Sequence, residues 1–432
     1  MGVNIGQVSL YLPYQFENRM NKQTPEAATD RELSPHLFRN RNFVLLWIGR
    51  TISVLGDNIY AIALMWWVLE KTNSTAMMAT VAICWTVPAV ALGIIAGTYA
   101  DRVNRKKLII WMDLGRACLI AIPATLLFFG LLEVWHIFII TILESSMSTF
   151  FGPSISAFLP SLVRKEDLTR ANSMFQLSFN LSGILGQALG GILMAVVGAA
   201  MTIYLDAISF FVSALSIISI STEITAPQTS IERKDFLRDL KDGLIYIRQN
   251  QFIWGIISLA VIINFLFAPF GIYMPVMVKS VFKMGPQGFG YLGAAVSLGM
   301  LAGSLFLSIK GQIKRKGLVI VGSVCLMGLC ISFFGITQYF ILSLLLLALM
   351  GVFMAFANTL IVVVFQSQVP TGVQGRVFGT TSTFAQGLQP ISLALAGVLS
   401  DLFKVQFIIL TSGILAFLVG IYGFFIKGIR DA

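Results

Sequence analysis

Charge is what this sequence has least of. Only 12% of its 432 residues are Asp, Glu, Lys or Arg, about half the share of a soluble domain, which argues for lipid as the main solvent. Histidine is nearly missing: His36 and His136 stand far apart. The four cysteines, Cys84, Cys118, Cys325 and Cys330, fall singly inside apolar runs. Without a CxxC spacing or a His cluster they read as small buried hydrophobes, and neither a metal centre nor a disulfide framework is expected. No G-x-x-x-x-G-K-[ST] loop occurs, which excludes a P-loop ATP-driven pump. Residues 1–42 lack the apolar core of a signal peptide and read as a polar N-terminal tail.

What is present is apolar length. Hydrophobic residues make up 56% of the chain, and the mean hydropathy is +0.83. Twelve runs, from Phe43–Leu69 to Val405–Ile426, are long enough to cross a bilayer, which takes about 20 residues. The seventh covers Phe252–Val278 and the eleventh Arg376–Leu402. Of the 30 basic residues, 24 fall in segments on the same side as both chain ends, and only Lys71, Lys279, Lys283 and Lys404 fall on the other. Positive loops stay inside, so both termini are expected in the cytoplasm of a cell-membrane protein. The net charge of +10 then faces anionic lipid headgroups and requires no nucleic acid.

The spans divide into residues 43–221, a linker at 222–251, and residues 252–432. In the linker Phe236, Leu240, Leu244 and Ile247 share a helical face, as in an amphipathic helix at the membrane surface. An offset of 206 residues brings Gly97 onto Gly303, Arg170 onto Arg376 and Gly191 onto Gly397. A duplicated six-helix unit predicts such matches, with a substrate path between the halves.

Between the second and third runs stands Gly97-Thr-Tyr-Ala-Asp101-Arg102-Val-Asn104-Arg105-Lys106-Lys107. It resembles the G-x-x-x-D-R-x-G-R-K loop of the major facilitator superfamily, with Asn104 at the usual glycine. Asn accepts left-handed backbone better than most residues, so a tight turn is expected to survive. The resemblance implies that Asp101 caps the eleventh helix and latches the cytoplasmic side. The second-half copy keeps Gly303 but has Leu307 in place of the aspartate, so no latch is expected there. Leu55-Gly56-Asp57, Asp113-Leu-Gly-Arg116, Pro153, Pro160 and Leu205-Asp206-Ala-Ile-Ser-Phe210 resemble the drug:proton antiporter group that includes macrolide and siderophore exporters. Gly186-Gln187-Ala-Leu-Gly190-Gly191 resembles its glycine-rich antiporter motif, with Gln187 at the usual proline. Gly186 and Gly190 also form a face that lets helices approach closely, and Gly191 adjoins it. The resemblance implies a twelve-helix, all-α membrane fold in two parallel repeats, monomeric and without a cofactor.

Charges inside apolar runs cost about 2.5 kcal/mol or more each and need a partner or a task. Arg50, Asp57, Asp113, Arg116 and Glu144 lie deep in the first half, and Asp206 is placed nearer the outer surface. The second half offers only neutral groups such as Asn264, Asn358, Gln386 and Gln389. Asp113 and Arg116, three apart, are expected to form an intrahelical ion pair. Arg50 and Asp57, seven apart, are about 10 Å apart along the axis and need other partners. The resemblance implies that the first, fourth, seventh and tenth helices line the central cavity, which makes Asp57 and Glu144 the candidate proton carriers. For Asp57 the alternative is a packing role, and for Glu144 it is substrate binding. Arg50, Trp66, Asn264 and Asn358 are the candidate cavity residues, and Trp47, Phe265 and Phe356 also lie on candidate lining helices. The expected activity is proton-coupled export of amphipathic small molecules, macrolide-like drugs or secondary metabolites. Siderophore export by the same fold is the alternative, and nutrient symport fits the sparse polar inventory less well.

Overall fold

The computed structural model describes residues 37–100, 103–221, 248, 251–311, 313, 315–369, 377, 380–381, 383–384 and 386–426. Asp101, Arg102, Arg376 and the expected linker helix lie outside these residues.

Among the described residues thirteen α-helices carry the fold: α1 Arg41–Thr72, α2 Thr75–Ala100, α3 Arg105–Phe128, α4 Val134–Phe158, α5 Leu168–Val196, α6 Gly198–Ile218, α7 Gln251–Phe267, α8 Phe270–Ser280, α9 Pro286–Lys310, α10 Lys316–Ile336, α11 Phe340–Gln368, α12 Gln389–Leu402 and α13 Val405–Phe425. Among the described residues eleven spans are long and apolar enough to cross a membrane, α7 and α8 together forming one of them, and α12 is a shorter apolar helix. The outward faces carry bare Trp111, Phe128, Phe129 and Phe425. That surface suits hydrocarbon, and the chain is a multi-pass membrane protein.

Helix ends follow local chemistry. Asn40 caps α1 by accepting from the Phe43 N–H at 3.1 Å, and Asn73 closes the same helix in left-handed backbone at φ 50°. Asn104 does not form the expected left-handed turn. At φ −65° and ψ 106° it is the N-cap of α3, its side chain accepting from the Lys107 N–H at 3.1 Å. The α7–α8 break falls at Pro269, which has no N–H to continue the ladder and starts the next helix instead.

The first half packs α1 on α5 and α6, α3 on α4 and α6, and α2 on α4, while the second packs α9 on α11, α10 on α11 and α13, and α7 on α13. The halves meet through α5 against α9 and α12 against α2. The 206-residue offset carries α2 onto α9 and α5 onto α12, so the two contacts are pseudo-symmetric copies. Gly191 abuts Gly290, and Gly397 abuts Ala76 and Ala79 at the equivalent place.

The buried apolar residues reveal which end is closed. At the end away from the termini one cluster joins the halves, combining Trp66, Met78 and Phe210 with Tyr273, Phe289 and Leu393. Among the described residues the terminal end has two separate clusters, one around Phe43 and Phe158 and one around Ile256 and Phe365. The space between the halves, among the described residues, therefore opens toward the termini.

Candidate functional site

Three helices bring their mid-span charges together. From α3, Arg116 donates Nη2–H to Asp57 Oδ1 of α1 at 2.8 Å and Nε–H to Glu144 Oε1 of α4 at 2.7 Å. Its Nη2 also reaches the same Glu144 oxygen. The Phe210 ring centroid of α6 lies 3.9 Å from the guanidinium carbon and covers one face of the group. Arg116 and Glu144 are nearly sealed, whereas the Asp57 side chain is 31% exposed and is the wet member of the trio.

The expected Asp113–Arg116 ion pair is absent. Asp113 points to α6 and accepts from Ser213 Oγ at 2.6 Å, leaving its Oδ1 without a hydrogen bond. The long Arg116 side chain leaves its own helix and finds two carboxylates across the bundle, which satisfy its fork better than one neighbour on the same turn. Asp206, expected near the outer surface, is fully buried in α6 and holds Ser209 Oγ at 3.1 Å. Glu144 Oε2 and Asp206 Oδ2 are buried without a partner. Gly56 lets α1 approach here: a methyl group on it would overlap the Asp206 and Ser209 side chains.

The Asp206, Phe210 and Ser213 contributions of α6 were not singled out from the sequence as site residues. A signal existed, since Asp206, Ser209, Phe210 and Ser213 recur at i, i+3, i+4 and i+7 and so share a face.

Asp57, Arg116 and Glu144 line a cavity lobe of about 540 Å³, with Trp85, Thr141 and Gln389 on its walls. A second lobe of about 450 Å³ shares Asn58, Gln187, Gly271 and Met274 with it and extends among second-half helices. Asn264 and Asn358 line this second lobe beside Met300, Met327, Met350 and Met354. Trp66 lines neither; it is buried, and its indole N–H donates to Glu70 at 2.7 Å. Trp47 donates to Ser178 at 2.8 Å, and Phe356 stacks on Phe306. Phe265 also lines neither lobe. Arg50 lies in a separate pocket between α1, α4 and α5.

The glycines of α5 face two ways. Gly186 and Gly190 lie against Asn58 and Ile59 of α1, while Gly191 lies against α9. Gln187, between them, donates to Ser297 of α9 at 3.2 Å and so bonds across the halves. Of the loop motif, Gly97 belongs to α2. Arg105 donates to the Ala157 carbonyl of α4 at 3.0 Å, and Lys106 donates to the Ile220 carbonyl just beyond α6 at 2.6 Å. Both cations sit at helix C-terminal ends, where the helix dipole favours them.

Two pseudo-symmetric helical halves around a greasy cavity with a charged wall define a secondary transporter of the major facilitator superfamily. The profile of the transmembrane secretion effector family matches residues 32–429, and the chain belongs to that family. Macrolide efflux protein A of Streptococcus pyogenes is 24% identical over 90% of this chain and 96% of that protein. The multidrug efflux pump Tap of Mycolicibacterium fortuitum is 26% identical over 87% of this chain and 93% of its own. Enterobactin exporter EntS of Escherichia coli O1:K1 / APEC is 26% identical over 78% and 80%. Among solved structures, a variant of the nucleoside transporter NupG superposes with a TM-score of 0.72 at 14% identity, covering 89% of this chain and all of that one, which shows the shared fold.

Proposed function

We propose that this transporter exports amphipathic small molecules, macrolide-like drugs or secondary metabolites, across the cell membrane in exchange for protons. Both termini are cytoplasmic in this reading, which the basic loops support, and the seam facing them loads substrate from the cytoplasm or inner leaflet. The observation that carries the reading is Arg116 shared between Asp57 and Glu144 in the cavity wall. Two acids, Asp57 and Glu144, share the one guanidinium of Arg116. With both ionised the trio carries one uncompensated negative charge in the bilayer, whereas one held proton brings it to neutrality. Water reaches Asp57, so protons exchange there, and Glu144 takes up the guanidinium when Asp57 is neutral. Desolvating a carboxyl favours its neutral form, so substrate entering beside Asp57 and proton occupancy are linked. The methionine-rich second lobe adapts to varied apolar bodies, and Asn264 and Asn358 orient them.

The test is a pH gradient across proteoliposomes with efflux of a macrolide, a cationic dye and a catecholate siderophore in parallel. Asp57→Asn is expected to exchange substrate but not to concentrate it, while Asp57→Glu keeps part of the coupling. Uphill transport with unchanged proton flux in Asp57→Asn would make Asp57 a packing residue.

The loop resemblance carries a separate proposal, that Asp101 latches the cytoplasmic side. Asp101→Asn is expected to slow transport several-fold with normal insertion, and wild-type rates would reject the latch.

A further inference from the structure

We propose that the pocket around Arg50 is a second binding site, which takes the phosphate or carboxylate group of an anionic amphiphile entering from the terminal end. The pocket holds about 340 Å³ between α1, α4 and α5, within the range of ligand sites. It is distinct from the cavity around Arg116. Phe179 is the wall residue it shares with the second lobe.

Arg50 is a guanidinium inside a membrane-spanning helix, and among the described residues no carboxylate lies within ion-pair distance of it. Its hydrogen bond to Ser53 Oγ is long, at 3.4 Å. The Phe151 ring lies 4.6 Å from the guanidinium carbon and covers one face of the group. A stacked guanidinium keeps its edge N–H groups free for a planar or tetrahedral oxyanion, which Arg engages in two parallel bonds. The deep acids of this half make their contacts elsewhere, Asp57 and Glu144 with Arg116, Asp113 with Ser213 and Asp206 with Ser209. The cost of a charge at this depth is met by Asp57 two turns away only through space, and an anion from outside would meet it by contact.

The rest of the pocket suits an amphiphile. Asn172 and Gln176 on α5 are exposed amides that line the same pocket as Arg50, and Phe175 and Phe179 supply an apolar wall. The segment before this wall, at the same end of the bundle, carries Arg164, Lys165 and Arg170 against Glu166 and Asp167, with Arg164 paired to Glu166 at 3.1 Å, which leaves a net charge of one positive near the mouth. Binding at this site does not depend on proton coupling or on the direction of transport.

The experiment uses the full-length protein in phosphatidylcholine nanodiscs. Thermal stability is followed during titration with octyl phosphate, octyltrimethylammonium and inorganic phosphate. Octyl phosphate is expected to raise the Tm saturably, and octyltrimethylammonium to leave it unchanged. Inorganic phosphate should need a concentration about tenfold higher or more, because it lacks the apolar body. Arg50→Gln should abolish the response and Arg50→Lys should weaken it several-fold. Should Arg50→Gln fail to fold, Gln176→Glu, on an exposed position, supplies a competing carboxylate and should abolish the response with Arg50 intact. An equal response to octyltrimethylammonium overturns the proposal. So does an undiminished octyl phosphate response in Gln176→Glu, or an equal response to inorganic phosphate. Two further arms identify the source of the anion. Native mass spectrometry after exposure to phosphatidylglycerol shows Arg50-dependent retention if the ligand is a lipid headgroup. Accumulation of octyl phosphate by proteoliposomes shows a free organic anion instead. Failure of both arms counts against the site, while loss of macrolide efflux alone bears only on the export reading.

Discussion

At the scale of single residues, Arg116 is the side chain on which the site depends. Removing it leaves Asp57 and Glu144 facing each other without a cation in contact, and breaking a buried pair costs about 3–5 kcal/mol. Arg116→Gln is therefore expected to lower the thermal midpoint in detergent sharply, and Arg116→Gln with Glu144→Gln to recover part of the loss. Asp113→Asn should cost less, because its partner is the neutral Ser213 hydroxyl. Additive losses in the Arg116 and Glu144 pair would show that each is held by something else. The charges themselves were legible in the sequence, since an ionised group in an apolar run has few explanations. Their partners were not. Spacing makes Asp113 the nearest candidate for Arg116, but the rotation of α3 against α1 and α4 decides where a long side chain reaches, and that rotation is set by packing across the whole bundle.

At the scale of helices, close approach between α5 and α9 rests on bare backbone. A Cβ on Gly191 would lie 2.7 Å from the Pro286 carbonyl and 2.9 Å from the Gln287 Cα, and one on Gly290 would lie 3.0 Å from the Gly191 Cα. Gly290→Val is expected to cost about 1–3 kcal/mol, the usual range for overpacking, and to loosen the halves. Gly93→Ala, where an added Cβ meets nothing within 4 Å, is the control and should melt like the parent protein. A parent-like midpoint for Gly290→Val would mean that the halves do not touch there. The repeat offset and the glycine motif made this contact partly readable. The break at Pro269 was hidden inside one apolar run, because hydropathy reports which solvent a segment prefers and not whether its backbone ladder continues. Asn104 was legible as a loop residue but not as a cap, since capping depends on which neighbour's N–H is left over.

At the scale of the whole molecule, the apolar cluster shared by both halves closes one end and the open seam lies at the other. Lys279 Nζ donates to Asn73 Oδ1 at 2.6 Å across the closed end. Tethering these positions with a short bis-maleimide linker, in Asn73→Cys with Lys279→Cys on a background free of native cysteines, should stop transport by at least about tenfold while substrate still binds. Transport that persists in the fully tethered protein would exclude opening at that end. The deep charges are also unequally shared: the first half holds Arg50, Asp57, Asp113, Arg116, Glu144 and Asp206, and the second lines its lobe with Asn264, Asn358 and methionines. In the proposed reading, an engine and a cargo hold are thus built into different pieces of one chain. A hybrid that joins this first half to the second half of a sibling pump would inherit its fuel from one parent and its menu from the other.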